Sequence, residues 1–106
     1  YVSTHASVGE GTIVMHGAIV NALASVGRNC IVNSQSLIEH GAVVMDHCHI
    51  STGARINGRA EVGSGSFIGS GAVLREGVRV GSNCVIGAGA IVVEDLPAST
   101  RYVGTL

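Results

Sequence analysis

Every sixth residue from Val2 to Val92 is aliphatic, and no insertion disturbs the count over sixteen positions. An amphipathic helix needs apolar residues three and four apart and a half-buried strand needs alternation, so a period of six fits neither. It fits very short strands joined by tight turns. If each hexapeptide supplies one strand and one corner, three of them close a triangular coil of about eighteen residues, and stacked coils pair as parallel strands about 4.8 Å apart. The sequence therefore predicts an all-β parallel solenoid of about five coils, with the aliphatic residue pointing inward.

Two further registers support that reading. Four residues after each aliphatic position stands a small residue, as at Ala6, Ala18, Cys30, Ala42, Ala54 and Ala72. The residue straight after the aliphatic one is often Gly or Asn, as at Gly9, Asn21, Asn33, Gly63 and Gly69. These types tolerate positive φ and are expected to make the bends. Aromatics are 3% of the chain, Trp is absent and Gly numbers 16, so the core must be narrow, with backbone packed close to backbone. Cys30, Cys48 and Cys84 fall in the small register. They are odd in number and match no CxxC or zinc spacing, so they read as buried, inert apolar fillers rather than disulfides, nucleophiles or metal ligands.

The formal charge is −1, with six arginines and no lysine, which offers no field for nucleic acid or an anionic membrane. No run is long and apolar enough for a membrane span, and no basic-then-apolar start suggests a signal peptide, so a cytoplasmic location is expected. After Val92 the repeat gives way to Glu94-Asp95-Leu96-Pro97. This divides the chain into a β-helix over 1–93 and a C-terminal extension over 94–106, with nothing evident to cover the last coil. Because Val2 already belongs to the inward register, the chain reads as a segment of a longer protein, lacking something on its N-terminal side.

Repeat scaffolds carry function where the sequence departs from what the repeat needs. His5, His16, His40, His47 and His49 all avoid the aliphatic register, and three of them cluster within Ile38–Ile50. Asn33 precedes His40 by seven residues and His49 follows it by nine. The stretch Ile31-Val32-Asn33-Ser34 through Glu39-His40, then His49-Ile50-Ser51-Thr52-Gly53-Ala54, resembles the hexapeptide-repeat acetyltransferases of sialic acid and bacterial UDP-amino-sugar pathways.

The resemblance implies a left-handed β-helix, a homotrimer and acetyl-CoA as co-substrate, with no metal. It makes His40 the general base, supported by Asn33, and gives His49, Gly58, Ser70 and Ala88 to acetyl-CoA. Such proteins carry an N-terminal sugar-binding domain that this chain does not contain. Relatives place Asp or Glu directly after the catalytic histidine, whereas this chain has Gly41. The acceptor is expected to be an amino group or hydroxyl of a nucleotide sugar or a sialic-acid-type sugar.

The chemistry needs little else. A neutral imidazole, with an ordinary pKa of about 6.5, accepts the proton that an acceptor loses as it attacks the thioester, a contribution of about 10²–10⁴-fold. A backbone N–H such as that of Gly58 is a candidate donor to the oxyanion. Two other readings use the same fold. A γ-type carbonic anhydrase needs two histidines five residues apart, and no pair here has that separation. A non-catalytic trimeric scaffold or regulatory module needs no site at all. An ice-binding surface is disfavoured because the threonines do not align on one face.

Overall fold

The computed structural model describes residues 1–104. Two-residue strands form three parallel sheets and, among the described residues, there is no helix. The first sheet stacks Ser7–Val8, Ser25–Val26, Val43–Val44, Glu61–Val62 and Arg79–Val80. The second stacks Ile13–Val14, Ile31–Val32, His49–Ile50, Phe67–Ile68, Val85–Ile86 and Arg101–Tyr102. The third stacks Ile19–Val20, Leu37–Ile38, Arg55–Ile56, Val73–Leu74 and Ile91–Val92. Val8 pairs with Val26 and Val26 with Val44, so each coil consumes three hexapeptides. The result is a parallel β-solenoid of about five turns, consistent with a left-handed β-helix.

The inward register is the core. Ile38, Ile50, Ile56, Ile68, Leu74 and Ile86 are each 0% exposed, and each such side chain contributes about 1.5–3 kcal/mol when fully buried. Ala18, Ala42, Ala54, Ala60 and Ala72 fill the bends between them.

The corners correct the expected origin of the bends. Positive φ falls two residues later than the sequence suggested, at Leu23, Asn29, Gln35, Gly41, His47 and Arg59. At a typical corner the amide of the small residue donates back three residues, Ala42 N–H to Glu39 O at 3.0 Å, closing a turn whose third residue takes the left-handed region. Glycines straight after the aliphatic residue serve a different need. A Cβ on Gly69 would lie 2.6 Å from Ala88 N and 2.7 Å from Ile86 O, so only glycine lets the next coil stack there.

The cysteines are also more than fillers. They occupy one corner column with Thr12 and Ser66, and each thiol or hydroxyl ties one coil to the next. Cys30 Sγ donates to Met45 O at 3.1 Å and accepts from Cys48 N at 3.4 Å, and Cys48 Sγ donates to Gly63 O at 3.2 Å. Ser66 Oγ repeats the pattern, donating to Gly81 O at 2.9 Å and accepting from Cys84 N at 3.0 Å. From Cys30 onward this side-chain ladder replaces the backbone turn bond used at the other two corners, while at Thr12 both are present, with Thr12 N donating to Gly9 O at 3.3 Å. Burial, the largest influence on Cys48, pushes its thiol up from 9.0 to about 11, which agrees with an inert group.

The segment after Val92 is corrected as well. It leaves the hexapeptide rhythm yet continues the solenoid: Leu96 bridges to Val80, and Arg101–Tyr102 pairs with Val85–Ile86. Leu96 and Tyr102 pack against the end of the core that the sequence left uncovered. The last two residues of the extension, 105–106, lie outside the described residues.

Candidate active site

The eighteen-residue coil decides which functional side chains meet. The corner joining the third sheet to the first stacks Asn21, Glu39 and Asn57 in one column and places Gly58 directly over His40. The corner joining the second sheet to the third carries Asn33, and above it Ser70 and Ala88. His49 stands between corners, on the outward side of the second sheet, paired in register with Ile31 and Phe67.

His40 is exposed on a groove of about 490 Å³ whose walls include Gly58, Arg75 and Glu76, with Val73 and Ile91 as an apolar floor. A Cβ on Gly58 would sit 3.5 Å from His40 O and 3.6 Å from Glu76 Oε2, so the bare glycine keeps the space beside His40 open. Its backbone does not require glycine, because its φ is not positive. Glu76 is engaged by Arg59 at 3.5 Å, while Arg75 makes no ion pair among the described residues and leaves one unpaired cation in the groove. No carboxylate oxygen comes within 4.0 Å of a histidine ring nitrogen among the described residues. Gly41, where relatives carry a carboxylate, has φ +71, and a Cβ there would lie 3.2 Å from Arg59 Cγ.

Asn33 is not beside His40 within one chain. Its side chain reaches His49, with Nδ2 to Nε2 at 3.2 Å, and His49 in turn meets Phe67 edge to face at 5.2 Å between ring centroids. The predicted residues thus fall into two patches, His40 with Gly58 on one corner, and Asn33 with His49 around the next. Ser70 and Ala88 stack as expected, with Gly89 N donating to Ser70 O at 2.8 Å. The amides of Gly58, Ser70 and Ala88 donate to no protein acceptor among the described residues. Each is available to a ligand.

Sequence reasoning missed Asn21 and Phe67 as parts of these patches. The signal was present in steps of eighteen: Asn21 and Glu39 are one coil apart, as are His49 and Phe67, or His40 and Gly58. His5, His16 and His47 are exposed. Among the described residues, no three His, Cys, Asp or Glu side chains gather into a group able to hold a metal ion.

Residues 59–93 match the family described as bacterial transferase hexapeptide (six repeats). No curated protein matches the chain. Among solved structures, the acetyltransferase domain of PglB from Neisseria gonorrhoeae in complex with acetyl coenzyme A is 38% identical, with a TM-score of 0.89, covering 91% of this chain and 47% of that one. PerB from Caulobacter crescentus in complex with CoA and GDP-perosamine is 35% identical, with a TM-score of 0.96, covering 97% of this chain and 50% of that one. The chain therefore spans about half the length of these structures. Repeat, fold and matches together make this a hexapeptide-repeat β-helix, similar over nearly its whole length to part of the bacterial sugar N-acetyltransferase structures.

Proposed function

We propose that the chain carries the acyl-transfer centre of an acetyl-CoA-dependent sugar N-acetyltransferase acting on a nucleotide-linked amino sugar, with His40 as general base. One observation carries the reading: His40 opens on a groove kept clear by Gly58, on a solenoid similar to structures that hold acetyl-CoA, or CoA with GDP-perosamine. The imidazole takes the proton as the acceptor amine attacks the thioester carbonyl. The unpartnered Gly58 N–H is placed to meet the oxyanion, and CoA leaves as the thiol. His49, Ser70 and Ala88 serve the acetyl-CoA arm, and Arg75 supplies a cation for a phosphate of either substrate.

A homotrimer completes the site in this reading. The outward column of the second sheet is Ile13, Ile31, His49, Phe67, Val85 and Arg101 and that of the third is Ile19, Leu37, Arg55, Val73 and Ile91, so both faces are mostly apolar. The first sheet presents Ser7, Ser25, Val43, Glu61 and Arg79. A three-fold axis beside the corner between the two apolar faces packs the third sheet of one copy on the second sheet of the next. That packing brings the Asn33–His49 patch of one copy toward the His40 groove of its neighbour. The reaction belongs in the cytosol, where acetyl-CoA is supplied.

Incubation with acetyl-CoA and GDP-perosamine or a UDP-4-amino sugar should release CoA and an N-acetylated sugar detectable by mass. His40→Ala should lower the rate by about 10²–10⁴-fold. An unchanged rate in that variant removes His40 as the base, and acetylation of a sialic acid hydroxyl instead would move the acceptor to the O-acetyl class. The second reading, a non-catalytic scaffold, is favoured by the absence, among the described residues, of a carboxylate within 4.0 Å of the His40 ring. It predicts no turnover with any of these acceptors.

A further inference from the structure

The amide two residues after the inward aliphatic residue, the one borne by His40, is left without a backbone partner among the described residues. Backbone bonds engage the amides before and after it: Glu39 N donates to Ile56 O at 2.9 Å and Gly41 N to Ala22 O at 3.2 Å. At Gly58, Ser70 and Ala88 the corresponding amide stays free. At His40 it is taken, because Glu39 Oε1 accepts the His40 amide at 2.9 Å. The same oxygen accepts the side chain of Asn21, one coil below, at 2.5 Å. Both partners approach through donors that this oxygen can accept in either the Glu or the Gln form.

We infer that Glu39, anchored by Asn21, is a positioning residue that fixes the corner bearing His40, in place of a carboxylate after the histidine. Three observations lead there. Position 41 cannot supply the carboxylate, and Arg59 Cγ already crowds the space a Cβ would take. Glu39 lines the same groove as His40, yet its carboxylate lies beyond 4.0 Å of the ring, so it acts through the backbone and not by charge on the imidazole. And the clamp joins two coils, so the corner cannot rotate without breaking bonds to Asn21 as well. A base must be held within a fraction of an ångström of the proton it abstracts, which is what such a clamp provides.

The inference rests on the acetyltransferase reading for its kinetic test, and on hydrogen exchange for a test independent of it. In the intact chain the His40 amide should be protected from exchange, in Glu39→Ala it should exchange as an exposed turn amide does, and in Glu39→Gln protection should return. Kinetically, Glu39→Ala should lower kcat by about tenfold to a hundredfold with the KM for acetyl-CoA little changed, while Glu39→Gln recovers most of that loss. The pH profile of Glu39→Gln should match the parent's. A Gln variant as impaired as the Ala variant, or one with a displaced acid limb, would show that charge on the imidazole is what matters and overturn the clamp. So would an Ala variant whose His40 amide stays protected. If neither the parent nor any variant transfers acetyl, the functional reading fails while the exchange experiment still decides whether the clamp exists.

Discussion

Asn33 and His49 are locked in a single polarity. Asn33 Oδ1 accepts the Ser34 amide at 2.8 Å, which leaves Nδ2 to face the ring and donate to His49 Nε2 at 3.2 Å. The neutral imidazole must then carry its hydrogen on Nδ1, the nitrogen free to address a ligand. Asn33→Ala releases the ring, which keeps only its edge contact with Phe67. The expected result is a rise of about fivefold in the KM for acetyl-CoA, the worth of one neutral hydrogen bond, with kcat nearly preserved. Steady-state kinetics check it. An equal fall in kcat would instead give Asn33 a part in the chemical step.

Two glycines at adjacent positions of the hexapeptide, Gly69 straight after the inward residue and Gly58 one place further on, should respond differently to a methyl group. Gly69→Ala pushes a Cβ into the backbone of the coil above, at 2.6 Å from Ala88 N, and should destabilise by about 1–3 kcal/mol. Gly58→Ala meets only ordinary contacts at 3.5 Å and beyond, so its stability should stay within about 0.5 kcal/mol of the parent while kcat/KM falls. Thermal unfolding together with acetyl-transfer rates separates the two. A stable Gly69→Ala would mean that the coils can part without penalty.

The thiol ladder predicts an order of variants and a pH dependence. Cys48→Ser keeps a donor for Gly63 O and an acceptor for the chain above, whereas Cys48→Ala removes both and should cost about 1–3 kcal/mol. Denaturant unfolding should rank Ser above Ala. Because the folded thiol ionises near 11 rather than 9.0, the native state holds its proton where the unfolded chain has lost it. Cys48's contribution is therefore fully present below about pH 9 and is lost as pH rises toward 11. A stability that stays level across that window in the parent, or falls equally in Cys48→Ser, would remove Cys48 as the source.

The six-residue period was enough to read the inward register and the solenoid, since Val20, Ile38, Ile56 and Leu74 all fall where counting puts them. What it concealed is the eighteen-residue period superimposed on it. Three corners look alike in the sequence, yet one uses thiols and hydroxyls along its whole column where the others use mostly alanine, and in that column each side chain bonds the coil above. The same superposition explains the site. Asn33 and His40 are close in sequence but turn onto different corners, while Asn21 and Glu39, far apart in sequence, touch. Positive φ could not be placed from residue type alone, because Leu23, Gln35 and Arg59 adopt it at corners where their neighbours are glycine.

Assembly offers the last test, because it asks whether the two patches work on one copy or across two. The outward columns of the second and third sheets are mostly apolar, interrupted by His49 and Arg101 on one and Arg55 on the other, and Phe67 lies 38% exposed directly beside His49. Phe67→Glu places a charge in that face without touching the inward core, so folding should survive while association and acetyl transfer are lost together. Ser25→Glu, on the polar first sheet, adds the same charge away from the proposed interface and should leave the trimer intact. Light scattering at micromolar concentration and acetyl-transfer assays on the same samples decide the matter. A monomeric Phe67→Glu that retains full activity would confine the chemistry to the His40 groove of a single chain, and a monomeric parent would remove the shared site altogether.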